Sequence, residues 1–181
     1  MTSPPAARVF FALWPDARVR GELARSARAL QAGCGGRGLR ATNLHLTLVF
    51  VGDVAVARLP ALCEAAAAVR GAAVDMTVDR AAYWAHNRIA WVGPGQTPAP
   101  LAALVAGLEA ALDGAGFGFD RRPYVPHVTL VRNARCRGEP VIDQPIAWRA
   151  GEFVLAQSLR NEGGAAYGVV GRWPLEAAAP G

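Results

Sequence analysis

Two short runs in which apolar and polar residues alternate constrain the fold of this chain more than any other feature. Residues 44–51 are LHLTLVFV, and residues 125–131 are VPHVTLV. Successive side chains of a β-strand point to opposite faces of its sheet, so each run predicts a strand with one buried face. On the first strand, the expected core face holds Leu44, Leu46, Leu48 and Phe50, and the opposite face holds His45, Thr47 and Val49.

The polar positions of both runs form the same pattern, His-x-Thr-Leu. The chain has three histidines, and two of them begin this pattern: His45 with Thr47, and His127 with Thr129. Two such occurrences in apolar strands indicate a shared function rather than a coincidence. The two histidines are 82 residues apart, which predicts two similar lobes whose sequences have diverged elsewhere.

The remaining pattern predicts a mixed α+β fold. Apolar spacing predicts helices over residues 17–31, 59–69 and 101–112, the first of them starting at Pro15 and Asp16. Further strands are predicted over residues 8–13, 74–78, 88–92, 152–158 and 167–173. We expect one bilobal domain over residues 1–181, with mainly antiparallel sheets flanked by helices and an active-site cleft between the lobes.

Two imidazoles and two hydroxyls on neighbouring strands suit in-line attack on a cyclic phosphodiester. One neutral imidazole takes a proton from the attacking water, and the opposite imidazolium protonates the departing ribose oxygen. Threonine hydroxyls donate to the non-bridging oxygens as negative charge grows on them. The pattern therefore predicts that His45 and His127 are catalytic, that Thr47 and Thr129 bind the phosphate, and that no metal or cofactor is needed.

Two alternatives use the same residues. Histidine is the commonest zinc ligand, but a catalytic zinc site takes three protein ligands, and no H-E-x-x-H motif or cysteine cluster supplies the third. A non-catalytic module that binds RNA ends or nucleotides would need the same charges and stacking groups. An enzyme should lose its turnover when either histidine is replaced, whereas a binding module should lose only affinity.

Other side chains are secondary candidates. Arg132 follows the second motif and could clamp the phosphate, but strict alternation turns it away from Thr129, so a β-bulge is needed to bring it back. Base stacking is a possible role of Tyr124. Core packing is the commoner role for Trp14, Trp84 and Trp148, which are the other aromatic candidates. His86 has no following threonine, and we expect it to be exposed and non-catalytic.

Composition adds expectations about compartment and partners. No apolar run reaches the roughly 20 residues of a membrane-spanning helix, and the N-terminus lacks a secretion signal, so we expect a soluble cytoplasmic protein with no membrane partner. Cys34, Cys63 and Cys136 are odd in number and lack C-x-x-C spacing, which predicts three inert thiols. Arginine carries the net charge of +5 and favours phosphate binding, although a GC-rich coding sequence also enriches arginine.

The motifs resemble those of the two-histidine phosphoesterase superfamily, and more closely its bacterial and archaeal RNA 2′,3′-cyclic phosphodiesterase branch, historically called 2′-5′ RNA ligases. The resemblance covers nearly the whole chain. It rests on RVFFALWP, NLHLTLVFVGDV, RIAWVG, PYVPHVTLVRNA and FVLAQSLRNEGGAAYGVV. It implies a bilobal fold in which the paired histidines face each other across a cleft.

The resemblance also implies the reaction and its partners. A terminal 2′,3′-cyclic phosphate would be hydrolysed to a 2′-phosphate, and the reverse chemistry would join it to a 5′-hydroxyl. Arg132 matches the arginine that follows the second motif in the family. We expect RNA with 2′,3′-cyclic phosphate ends, or cyclic nucleotides, as partners of a monomer. Which histidine is the acid and which the base is left open.

Overall fold

The computed structural model describes residues 5–161 and 164–176. Its strands are β1 (Ala6–Leu13), β2 (Arg37–Gly38), β3 (Leu46–Ala55), β4 (Val74–Val78), β5 (Arg80–Trp84), β6 (Ile89–Gly93), β7 (Val128–Arg132), β8 (Ile146–Ala150), β9 (Glu152–Asn161) and β10 (Gly164–Pro174). Its helices are α1 (Ala17–Cys34), α2 (Leu59–Ala67) and α3 (Ala99–Gly114). The α+β class is confirmed. The two residues between β9 and β10, which belong to the predicted closing strand pair, lie outside the described residues.

One long antiparallel sheet organises the molecule. Its strand order is β10-β9-β1-β3-β7-β6-β5, with β2 added beside β7, and β4 pairs with β8 in a separate two-stranded sheet. The long sheet consists of two halves, which join where Leu46 of β3 pairs with Val128 of β7. Each half therefore contributes one of the two motif-bearing strands to the junction.

The helices cover one face of the long sheet. α1 begins after Asp16, whose carboxylate accepts a hydrogen bond from the backbone N–H of Val19 at 2.8 Å. Its buried side chains, Val19, Leu23, Ala27, Leu30 and Cys34, join the main core. β1 alternates strictly: Val9, Phe11 and Leu13 enter that core, whereas Phe10 and Ala12 join a smaller apolar cluster on the opposite face. No helix in the described part of the chain is long and apolar enough to cross a membrane.

The predicted alternation of the first motif strand is wrong beyond Leu48. The pairing of β1 with β3 shifts register twice near this point, and a register shift changes the face to which a side chain points. Val49 is therefore buried in the main core, and Phe50 packs against the smaller cluster with Phe10. The sequence pattern does not predict strands β2, β5 and β8. β2 and β8 depend on partners far away in the sequence, β7 and β4.

The expectation of three inert thiols is wrong for two of the three cysteines. Cys34, the last residue of α1, and Cys136, four residues beyond β7, form a disulfide, and Cys63 is free. The backbone N–H of Arg135 also donates to the carbonyl of Cys34 at 2.8 Å. The pair is separated by 102 residues, and only the packing of α1 along β7 brings the two cysteines together.

Candidate active site

The two His-x-Thr motifs meet at the junction between the halves of the sheet. Leu46 and Val128 pair there and are fully buried in the core, so their sequence neighbours point to the opposite face. In an antiparallel pair, the residue before one partner faces the residue after the other. This register therefore places His45 opposite Thr129 and His127 opposite Thr47, so each histidine faces the threonine of the other motif. All four side chains line one cleft with a volume of about 690 Å³.

Each histidine is the last residue before its strand, rather than a residue within it as the alternation predicts. His45 Nδ1 lies 2.7 Å from the carbonyl oxygen of Asn43, and His127 Nδ1 lies 2.8 Å from that of Val125. A carbonyl oxygen can only accept, so both Nδ1 atoms carry a proton and donate. In each neutral ring, Nε2 is therefore the unprotonated nitrogen, able to act as a base.

Aromatic rings enclose the imidazole of His45. Phe10 stacks on it at 4.8 Å with an interplanar angle of 29°, and Trp14 stacks at 5.2 Å with an angle of 8°. The ring of Tyr167 meets it edge-on at 5.1 Å. Burial among these rings, the aromatic cage of His45, lowers its pKa from 6.5 to about 4, and the charges of His127 and Arg132 act in the same direction.

His127 lies in a less enclosed aromatic setting. Trp84 and Trp91 meet its ring edge-on at 4.6 Å and 5.8 Å. Burial lowers the pKa of His127, and the positive charge of Arg132 lowers it further. The lowered pKa values favour the neutral form of both motif imidazoles near pH 7. A phosphate anion between them would offset Arg132 and favour an imidazolium.

A β-bulge brings Arg132 to the cleft. The register between β6 and β7 skips one residue, because Thr129 and Val131 pair with consecutive residues of β6 and leave Leu130 unpaired. Leu130 and Val131 are both fully buried, and Arg132 returns to the face of Thr129, where it lines the cleft. The bulge that an inward-facing Arg132 requires is therefore present.

The remaining donors of the site are the hydroxyls of Thr47 and Thr129. Within residues 5–161 and 164–176, neither hydroxyl has a hydrogen-bond partner, so both can donate to a ligand in the cleft. No three His, Cys, Asp or Glu side chains in these ranges cluster closely enough to hold a metal ion. Two imidazoles, two hydroxyls and one guanidinium converge here, a set of groups suited to binding a phosphate and moving protons around it.

Both halves of the chain match one known protein family. A family model described as "LigT like Phosphoesterase" matches the chain twice, over residues 13–91 and 92–167. The chain belongs to the LigT-like phosphoesterase family. Each matched segment of this LigT-like phosphoesterase contains one His-x-Thr motif, which confirms the two similar lobes predicted from the spacing of the motifs.

Individual relatives agree with the family match. The RNA 2′,3′-cyclic phosphodiesterase of Escherichia coli (strain K12) is 32% identical over 172 residues, which is 93% of this chain and 96% of that protein. The crystal structure of E. coli LigT in its apo form covers 94% of this chain and 98% of its own, with a TM-score of 0.82 and 32% identity. E. coli LigT in complex with 3′-AMP superposes with a TM-score of 0.83 at 31% identity, covering 94% of this chain and 99% of its own.

The aromatic candidates divide into different settings. Tyr124 lines the cleft, and its hydroxyl donates to the carbonyl of Thr47 at 3.2 Å. Burial raises the pKa of this hydroxyl. The hydrogen bond therefore also helps to fix the backbone of the first motif. Base stacking by Tyr124 stays a prediction. Trp148 is 2% exposed and belongs to the core, as expected. Trp14 and Trp84 instead contact the two histidines. His86 is exposed, as predicted, at the edge of the cleft.

Sequence reasoning missed two aromatic neighbours of His45, Phe10 and Tyr167, and the arginine beside Arg132. Phe10 was foreseeable in part, because RVFFAL is apolar on both faces and a strand with two apolar faces must be covered on both. Tyr167 reaches the site through the pairing of β9 with β1 and β10, which no local pattern indicates. Arg37 pairs directly with Arg132, although 95 residues separate them in the sequence.

Proposed function

We propose that this LigT-like phosphoesterase hydrolyses RNA 2′,3′-cyclic phosphate ends to 2′-phosphate ends by metal-independent acid–base catalysis with His45 and His127. The observation that carries this proposal is the crossed arrangement of the two motifs, in which each imidazole lies opposite the threonine of the other. The name of the E. coli relative, RNA 2′,3′-cyclic phosphodiesterase, supports the same substrate. The existence of a complex of E. coli LigT with 3′-AMP supports nucleotide binding by this chain.

The proposed reaction is one in-line displacement at phosphorus. The Nε2 atom of one neutral histidine removes a proton from water as the water oxygen bonds to phosphorus. The bond from phosphorus to the ribose 3′ oxygen breaks, and the opposite imidazolium donates its proton to that oxygen. Thr47, Thr129 and Arg132 hold the non-bridging oxygens, whose negative charge increases toward the five-coordinate transition state.

The pseudo-symmetric geometry allows either histidine to serve as the acid or the base. The same site run in reverse would join a cyclic phosphate to a 5′-hydroxyl and form a 2′-5′ linkage. Water is present at roughly 55 M, so hydrolysis should prevail wherever a second RNA end is not held in the cleft.

We further propose that the protein acts as a monomer in the cytoplasm, with RNA ends or cyclic nucleotides as its partners. The disulfide between Cys34 and Cys136 bears on this location, because cytoplasmic thiols are normally kept reduced. In that compartment, the disulfide would be exposed to continual reduction.

The decisive test is the identity of the product and its dependence on each histidine. Full-length protein is incubated, in excess chelator, with an RNA that ends in a 2′,3′-cyclic phosphate, beside the variants His45→Ala and His127→Ala. We expect a 2′-phosphate from the wild type and a loss of about 100-fold or more in rate for each variant. His86→Ala is the matched control, since His86 is the remaining histidine of the chain and lies outside the two motifs.

The other outcomes select the alternatives. A rate abolished by the chelator would point to metal catalysis. Tight RNA binding with no turnover by the wild type would identify a binding module. A 3′-phosphate product would show that the other ribose oxygen is the leaving group and would refute the proposed geometry of attack.

A further inference from the structure

Two arginines lie side by side at one end of the cleft. Arg37 of β2 pairs with Arg132 of β7 in antiparallel register. Directly opposed residues of a strand pair have Cα atoms about 5 Å apart and point to the same face. Arg132 lines the cleft, and Arg37, its direct partner in the strand pair, therefore points to the same face beside the cleft lining.

This pair of cations has no acidic partner. Within the described residues, neither Arg37 nor Arg132 forms an ion pair or a side-chain hydrogen bond, and both are exposed. Like charges directly opposite each other on a sheet repel and destabilise it. An anion shared by the two guanidinium groups would remove this repulsion, and guanidinium forks bind phosphate oxygens in pairs.

The opposite end of the cleft has a different charge arrangement. There Arg122 pairs with Asp120, and Arg8 lies 3.9 Å from Asp53. β3 and β7 are antiparallel and pair at Leu46 and Val128. Asp53, later in β3, and Arg132, later in β7, therefore lie toward opposite ends of the junction. Of the arginines that line the cleft among the described residues, Arg8 and Arg122 thus lie beside carboxylates, and Arg132 does not.

The backbone around Arg37 is closely fitted to β7. Gly36 has a φ of +83°, and a Cβ at this position would lie 2.6 Å from the carbonyl oxygen of Arg132. Two residues before Gly36, Cys34 forms the disulfide with Cys136, which is four residues after Arg132. Arg37 is thus held beside Arg132 by the strand pairing and the close backbone approach at Gly36, neither of which depends on the disulfide.

We propose that Arg37, together with Arg132, forms a second phosphate subsite that binds the phosphodiester preceding the cyclic end of an RNA chain. This inference rests on the proposed function, in which Arg132 and the threonines bind the terminal cyclic phosphate. The body of the RNA then leaves the cleft past β2, where the exposed Arg135 adds positive charge without an ion-pair partner among the described residues. The enzyme should accordingly prefer an RNA chain to a cyclic mononucleotide.

Steady-state kinetics on two substrates test this subsite. One substrate is uridine 2′,3′-cyclic phosphate, and the other is a uridine trinucleotide that ends in the same cyclic phosphate. Arg37→Gln should lower kcat/KM for the trinucleotide by about three- to tenfold, the range for losing one exposed charged contact, and should lower it less for the mononucleotide. The dependence of log kcat/KM on log salt should weaken by about 0.7 for the trinucleotide.

Two controls define the result. Arg28→Gln makes the same charge change on the exposed face of α1, on the helix-covered side of the sheet, and should leave both substrates unaffected. A trinucleotide with a neutral methylphosphonate in place of the phosphodiester before the cyclic end removes the ligand charge. On that substrate, Arg37→Gln should have no further effect on kcat/KM, because the two changes remove the same contact.

The subsite is refuted if Arg37→Gln lowers kcat/KM equally for both natural substrates, or if the neutral linkage changes nothing in the wild type. Those results would leave the proposed hydrolysis intact. If the wild type hydrolyses neither natural substrate, the proposed function itself fails, and the subsite fails with it.

Discussion

Replacing Trp14 by alanine should raise the pKa of His45, because the indole covers one face of the imidazole at 5.2 Å. In the wild type, burial lowers that pKa from 6.5 to about 4, a difference of about 2.5 units. One unit corresponds to about 1.4 kcal/mol, so the cage and its surroundings oppose charging of His45 by about 3.5 kcal/mol. Trp14 is one of two stacked rings, and its loss should return about one unit.

The same shift sets a pH dependence of stability. Between pH 6.5 and about 4, the unfolded chain binds a proton at this histidine that the folded chain does not bind. The free energy of unfolding therefore rises with pH across that window, by about 3.5 kcal/mol for His45 in the wild type, and this contribution is lost as pH falls through the window. In Trp14→Ala, the loss between pH 6.5 and 4 should be smaller by about 1.4 kcal/mol.

Two measurements check this reasoning. Ring-proton NMR from pH 3 to 8 follows the titration of His45, and urea unfolding at pH 7, 5 and 4 follows stability. Trp84→Ala is the matched control, because Trp84 contacts His127 and should shift that histidine instead. A wild-type pKa of His45 near 6.5, or one unchanged by Trp14→Ala, would show that the aromatic cage does not control its protonation.

Three further predictions follow from the site and the disulfide. First, kcat/KM should be bell-shaped with its maximum below pH 6.5, since it reports the free enzyme and both histidine pKa values are lowered; a plateau to pH 8 would contradict this. Second, Thr47→Val or Thr129→Val should lower kcat about 100-fold with a smaller change in KM, whereas serine at either position should retain most activity; a change in KM alone would place the hydroxyls in ground-state binding. Third, a thiol assay on denatured, unreduced protein should find one free thiol, and Cys136→Ser should lower the free energy of unfolding by about 4–5 kcal/mol, given the separation of 102 residues. Cys63→Ser should keep the disulfide, and three reactive thiols in the wild type would refute the pairing.

The sequence alone determined the features that depend on local periodicity. The alternation in β3 and β7 identified both motifs and the shared direction of each histidine and threonine pair. The 3.6-residue spacing and the start signal at Asp16 located the helices, and repetition of the motif predicted two similar lobes. These inferences succeed because the face of a side chain follows from its position in a regular element.

Only the tertiary structure decided how these elements are joined into a site. The crossing of each histidine with the opposite threonine depends on one pair, Leu46 with Val128, and Arg132 reaches the cleft through a bulge set by β6. The stacking of Trp14 on His45 depends equally on β1 lying beside β3. Register, bulges and strand order are properties of partners distant in sequence, and no local pattern encodes them. The sequence thus determined which groups could do the chemistry, and the packing of the strands decided which of them meet.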